Sequence, residues 1–331
     1  MKKRMTWVVA GVMTMAMLAG CGGSASSSGS SAGDASSAAS GSSGSEAASS
    51  GLSIGFSGDY LSDFMSYVVD GVETACADNG VQITVKDAEF DSAQQLQQVE
   101  NFINAGVDAV IIKPVDSSAC APIKQACEEA GVPFITVNQS SLDGQDVYVG
   151  SDHKYSGQLQ GEYLVDALPD GGNVAILMGD LTLEATTDRT EGAKEVLDKA
   201  GNFTIVSEQE AGWMRDEAMQ KMENWLNSGL EIDAVIANND EMAIGAANVL
   251  VENGITDVLV CGIDASEAAL NLMKEGKMSM TVFQNGYQQG YQGVEAALKL
   301  IAGESVEEYV DVPYETVLPD QADEYLAILG N

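Results

Sequence analysis

From Leu52 onward, short apolar runs alternate with longer amphipathic stretches, and this alternation restricts the fold more than any other feature of the 331-residue chain. The runs fall at 52–56, 81–87, 109–113, 134–137, 147–149, 173–178, 203–210, 234–237, 258–263 and 280–283. Each has the length of a strand. Between them, apolar residues recur at helical spacing over 64–79, 93–104, 120–130, 153–168, 187–200, 215–228, 242–253, 266–275 and 286–301. Ala218, Met222, Trp225 and Leu226, for example, form one stripe. Gly80, Gly131, Gly201 and Gly254 each end a helical pattern, where a left-handed residue is needed. A βαβα order predicts parallel sheets with helices on both faces. Ten strands over this length point to two doubly wound α/β lobes rather than one.

In such sheets ligands bind beyond the C-terminal ends of the strands, so the polar residues that follow each apolar run are the candidates for function. They are Gly58, Asp59 and Tyr60 after the first run, Lys113 at the end of the third, and Asn138 and Gln139 after the fourth. Residues 180–189 follow the sixth, Gly212 and Trp213 the seventh, and Asn238, Asn239, Asp240 and Glu241 the eighth. Asp264 and Gln284 follow the last two. The set is rich in amides, which donate and accept together, and in carboxylates, with Tyr60, Phe64 and Trp213 as aromatic faces. Polar edges between apolar plates suit a carbohydrate. No phosphate cradle, zinc ligand set or EF-hand loop is present, so neither a metal nor a cofactor is expected. The formal charge of −35 argues against nucleic acid and against anionic lipid. Acid–base catalysis would need positioned carboxylates or histidine. Asp59 and Asp264 could meet across a cleft, but the set is mostly amide, and no enzyme is expected. The single histidine, His153, reads as a surface residue.

The N-terminus is separate. Lys2, Lys3 and Arg4 precede a mostly apolar stretch, 6–18, too short to span a bilayer comfortably. It ends in Leu18-Ala19-Gly20-Cys21, which resembles the bacterial lipoprotein signal. The resemblance implies a signal peptide over 1–21, cleavage before Cys21 and acyl chains such as palmitate anchoring the chain to the membrane. Residues 22–51, almost entirely Ser, Gly and Ala, cannot bury enough apolar area to offset their ordering entropy. They read as a flexible tether with a reach of about 30 Å. A nucleophile-elbow pattern at 29–33 lies in this low-complexity stretch, with no strand before it, and is discarded. Cys76, Cys120, Cys127 and Cys261 lack metal-ligand spacing. Cys120 and Cys127 on one helix would be about 10 Å apart, too far for a disulfide. All four read as small buried hydrophobes, with a long-range bridge left open.

The stretches "LSIGFSGDYLSDFMSYVVDGVETACADNG", "VIIKPVDSS", "VPFITVNQ", "VIANNDEMAIGA", "VCGIDAS" and "MTVFQNGYQQGYQGVEAALKLIAGE" resemble, in that order, the ribose-binding-protein group of type I periplasmic binding proteins. The resemblance covers 52–318. It implies two lobes joined by three hinge crossings, near 150–152, 284–285 and 312–314. One lobe is then 52–151 with 285–312, and the other 152–284 with 313–331. Carried over by position, it assigns ligand contact to Phe64, Met65, Asn138, Gln139, Arg189, Trp213, Asn239, Asp264 and Gln284. Met65 departs from an aromatic plate, and Asn138-Gln139 replaces the Asp-Arg of ribose binders, so ribose itself is in question. Thr187 competes with Arg189, and Lys113 could pair with Asp59 or meet an acidic sugar. In the stretch that begins "VIANNDE", Asn238 or Asp240 is expected to cap the helix while Asn239 reaches the ligand. Asp264 and Trp213 have structural alternatives as a helix cap and a core lid, and Arg189 as a salt-bridge partner of Asp188 or Glu191. The implied function is capture of a monosaccharide or related polyol by a monomeric, lipid-anchored extracytoplasmic protein of an ABC importer, with its permease as partner. A sensory lipoprotein presenting ligand to a membrane receptor is the alternative.

Overall fold

The computed structural model describes residues 51–330. The leader 1–21, Cys21, the tether 22–50 and the 29–33 pattern lie outside the described residues. The first lobe begins β1 (Ser53–Gly58), α1 (Asp63–Asp78), β2 (Gln82–Asp87), α2 (Ser92–Ala105), β3 (Ala109–Ile112), α3 (Ala121–Ala130), β4 (Phe134–Val137) and β5 (Val147–Gly150). The second continues with α4 (His153–Ala167), β6 (Gly172–Met178), α5 (Glu184–Ala200), β7 (Phe203–Glu210), α6 (Arg215–Asn227) and β8 (Ala234–Ala237). It goes on through α7 (Asp240–Glu252), β9 (Leu259–Cys261), α8 (Glu267–Lys274) and β10 (Thr281–Phe283). Then α9 (Gly286–Ile301) and β11 (Tyr309–Asp311) return to the first lobe, and β12 (Glu315–Val317) and α10 (Ala322–Leu329) end in the second.

The first sheet is entirely parallel, in the order β11-β5-β4-β3-β1-β2. Its inner strands are apolar on both faces because helices cover both: Val110, Ile111 and Ile112 are all fully buried. Truncating a side chain such as Ile111 to Ala would cost about 2–5 kcal/mol. The second sheet, β7-β6-β8-β9, is also parallel. Single bridges from Cys261 to Met280 and from Asp264 to Phe283 carry it on to β10, which pairs antiparallel with β12. Both main sheets are thus parallel, as expected, and the small β10-β12 pair at this edge is antiparallel. Strands β11 and β12 are three residues each, too short for the sequence to show a period.

The chain passes between the sheets three times, after β5, after β10 and between β11 and β12. Helix ends follow local chemistry. Ser62, Asp91, Asp152 and Ser266 each accept a backbone N–H as caps of α1, α2, α4 and α8. Gly80, Gly131, Gly201 and Gly254 all have positive φ, as expected. Helices α4 and α5 lie unusually close. A Cβ on Gly157 would meet the Arg189 carbonyl oxygen at 1.9 Å, and one on Gly192 would meet that of Lys154 at 2.1 Å. Only glycine at both positions allows this contact, which seats Arg189 against the start of α4.

Cys76, Cys120, Cys127 and Cys261 are free and buried, so the open possibility of a bridge is not realised. Burial pushes the Cys76 and Cys120 thiols up to about 11 and Cys127 to about 12, and raises Cys261 further. No helix among the described residues is long and apolar enough to cross a membrane.

Candidate functional site

The C-terminal ends of both sheets open onto one cavity of about 440 Å³, within the range of small-molecule sites. All nine residues singled out from the sequence line it: Phe64 and Met65 from the first turn of α1, Asn138 and Gln139 after β4, Arg189 from α5, Trp213 after β7, Asn239 after β8, Asp264 after β9 and Gln284 after β10. Asp59 and Lys113 line it too, and of the alternatives left open for Lys113 the pairing with Asp59 is the one formed. Thr187 does not line it. Its hydroxyl donates to the Glu184 carbonyl on the exposed side of α5, while Arg189 is buried.

Arg189 organises the second lobe's wall. Its guanidinium donates to the Asn238 carbonyl at 2.6 Å, to Gln284 Oε1 at 3.0 Å and to the Tyr314 hydroxyl at 2.8 Å. It also lies over the Trp213 ring, 5.7 Å from the centroid. No ion pair with Asp188 or Glu191 forms. Trp213 has φ 66°, and its indole rests where Gly179 leaves room, since a Cβ there would meet the ring at 2.2 Å. Burial, and then repulsion from Asp240, hold the Asp264 carboxyl well above the usual carboxylate range, with Arg189 pulling it down. Asp264 does not cap α8; Ser266 does.

Two expectations are corrected. The cap of α7 is Asn239, whose Oδ1 accepts from Met242 N at 3.0 Å, and neither Asn238 nor Asp240. Asn238 is instead fully buried, taking the Gly179 N–H at 3.1 Å, and Asp240 is buried between Ser266 N and the Thr281 hydroxyl. Both side chains bond laterally to neighbouring loops, which leaves the helix end to the residue between them. His153 is not a surface residue. It is buried between the crossings, and burial with the nearby Arg189 charge lowers its pKa to about 3. Its Nε2 lies 2.9 Å from the Asn138 carbonyl oxygen and its Nδ1 2.9 Å from the Tyr314 hydroxyl. A carbonyl only accepts, so Nε2 carries the proton and Nδ1 accepts from Tyr314. A directed chain therefore runs from Arg189 through Tyr314 and His153 to Asn138.

The first lobe's contribution is held as firmly. Asn138 sits at φ 64° and donates to Gln289 Oε1 at 3.0 Å, and Gln289 in turn donates to Ser151 Oγ at 2.9 Å. Gln139 Oε1 accepts from Ala185 N at 3.3 Å, and Ser140 donates to Glu184, so the start of α5 meets the loop after β4. Five buried polar atoms of cavity residues have no hydrogen-bond partner within the protein: Asp59 Oδ1, Gln139 Nε2, Arg189 Nε, Trp213 Nε1 and Gln284 Nε2. Buried polar groups are rarely left so, and their clustering here marks hydrogen-bonding capacity concentrated at one place. Among the described residues no cluster of His, Cys, Asp and Glu could hold a metal ion. Phe90, which also lines the cavity, was overlooked. It follows β2, and the strand-end rule that found the others points to it when applied to that strand.

Comparison with known proteins agrees with this architecture. A protein of Rhizobium meliloti provisionally named as rhizopine-binding is 40% identical over 248 residues, 72% of this chain and 80% of its own length. The ribose import binding protein of Bacillus subtilis is 34% identical over 263 residues, 79% of this chain and 85% of its own. The crystal structure of an ABC transporter solute binding protein from Bacillus halodurans with bound myo-inositol superposes with a TM-score of 0.81 at 43% identity, covering 85% of this chain and 99% of that one. These relatives are named as binding proteins, not as enzymes. The profile of the periplasmic binding protein domain matches residues 54–305, and the chain belongs to that family.

Proposed function

We propose that this protein captures a neutral polyhydroxylated ring, a monosaccharide or a cyclitol, in the cavity between its lobes and delivers it to an ABC permease. The observation that carries this reading is the convergence, from both lobes, of unpartnered buried polar atoms with the apolar faces of Phe64, Met65 and Trp213 on one cavity. Hydroxyls would meet the amides, Arg189 and Asp264, while C–H faces would meet the apolar plates. The relative with bound myo-inositol, at 43% identity, and the amides at Asn138 and Gln139 in place of the Asp-Arg of ribose binders favour a cyclitol or a ring other than ribose. In this reading the nine lining residues are ligand contacts, and the lobes 52–151 with 285–312 and 152–284 with 313–331 turn about the three crossings. Ligand favours closure only through contacts made in the closed form. A micromolar Kd needs roughly 8 kcal/mol, within reach of eight to ten hydrogen bonds at about 1 kcal/mol each and two plates, after ordering costs. Cys21 would carry the lipid that holds the protein at the membrane.

The test is a thermal-shift panel of myo-inositol, D-ribose, D-allose, xylitol and uronic acids, followed by calorimetry and small-angle scattering. A ligand at a hundred times its Kd adds about 2.7 kcal/mol of stability. A panel in which nothing raises Tm, or a bound ligand that leaves the scattering profile unchanged, refutes the reading.

A further inference from the structure

The rim of the cavity is apolar and exposed. Tyr60, Leu61 and Phe90 on the first lobe and Met214 on the second are 37–42% exposed, and all four line the cavity. Tyr60 and Phe90 stack, with centroids 4.8 Å apart and planes 17° from parallel. This pair is held against conformational preference. Glu89 and Phe90 have φ of 52° and 60°, two successive non-glycine residues in the left-handed region. The turn is pinned by the Asp87 carboxylate, which accepts from Glu89 N at 2.8 Å and Leu61 N at 3.3 Å, and by Phe90 N donating to the Asp59 carbonyl at 2.8 Å. One side chain thus ties the loops after β1 and β2 together and presents an aromatic face to solvent. Strained backbone that holds an exposed aromatic pair beside a ligand cavity calls for a function, because folding alone favours burying such groups.

Across the rim from the aromatic pair, Arg215 donates twice to the Glu241 carboxylate, at 2.6 and 3.0 Å, and both are cavity residues.

We propose that this rim is a second subsite, for a ring joined through oxygen to the polyol held deeper in the cavity. The ligand class is then a glycoside or pseudo-disaccharide. The outer ring lays its C–H face on the outer face of the Tyr60–Phe90 stack, Met214 covers it from the other lobe, and Arg215 and Glu241 offer partners to its hydroxyls. The assignment rests on the polyol reading of the inner site and adds the outer half.

Calorimetry on the whole chain with matched probes tests it: myo-inositol against galactinol, and D-glucose against isomaltose. In at least one pair the two-ring ligand binds about tenfold tighter, the scale of one good aromatic contact. Phe90→Ala removes that advantage and leaves the one-ring affinity within about twofold, and Phe90→Gly, which suits the left-handed backbone, does the same. Binding of one-ring ligands with exclusion of two-ring ligands overturns the subsite and leaves the polyol reading intact. So does an equal loss for both ligands in the Phe90 variants, which would mean that the lips close on each other. If no probe of either size binds, the polyol reading falls, and the outer subsite falls with it.

Discussion

Tyr314→Phe isolates the chain of hydrogen bonds that joins the cavity to the crossings. Tyr314 is 4% exposed and is not a cavity residue, so the substitution removes no ligand contact. It deletes one oxygen, which accepts from Arg189 at 2.8 Å and donates to His153 Nδ1 at 2.9 Å. Arg189 keeps its bonds to Asn238 and Gln284, but His153 Nδ1 is left buried and unpartnered. That one orphaned group costs about 1–3 kcal/mol, or roughly 2–6 °C in Tm at about 2 °C per kcal/mol for a chain of this size. Urea denaturation followed by circular dichroism measures the first figure. The chain's single histidine makes nitrogen NMR unambiguous. The wild-type imidazole should show the proton on Nε2, and the variant should perturb Nδ1. A stability change below about 0.5 kcal/mol, the level of an ordinary surface substitution, would refute the reasoning. So would a wild-type imidazole protonated on Nδ1.

Two further predictions concern titration. His153 has its folded pKa lowered to about 3 from an ordinary 6.5, so its contribution is complete above pH 6.5 and is lost as pH falls towards 3. In that window His153→Gln should flatten the stability–pH profile by up to about 1.4 kcal/mol per pH unit; a profile unchanged by the substitution would contradict the burial argument. Asp264 is raised, which has the opposite sign: its contribution is present below the ordinary carboxylate pKa and is lost as pH rises through the folded one. Asp264→Asn should therefore leave Tm at neutral pH unchanged or higher while affinity falls at least about tenfold, and a variant that unfolds instead would make Asp264 a structural residue.

Much of the site was legible because a parallel α/β sheet converts strand ends into one surface. Asn138, Trp213, Asp264 and Gln284 are scattered over about 150 positions, yet each follows an apolar run, and that alone places them together. What the residue pattern could not resolve depended on lateral contacts. Asn238, Asn239 and Asp240 are three adjacent cap-competent residues, and only their neighbours, Thr190, Thr281 and Ser266, decide which one caps α7. His153 was misread because its burial comes from Tyr314, which lies 161 positions away on a connection between two strands too short to register. The closing antiparallel pair of β10 and β12 was missed for the same reason.

The four sequestered thiols have a practical corollary. Each is buried with its pKa at about 11 or above, so thiolate is scarce near neutrality and alkylating dyes have nothing to attack there. A cysteine introduced at an exposed position such as Leu181 or Leu142 would be the one reactive handle among the described residues. The fold is thus ready for site-selective fluorophore attachment, and its opening and shutting could be watched one molecule at a time without first stripping out its native sulfur.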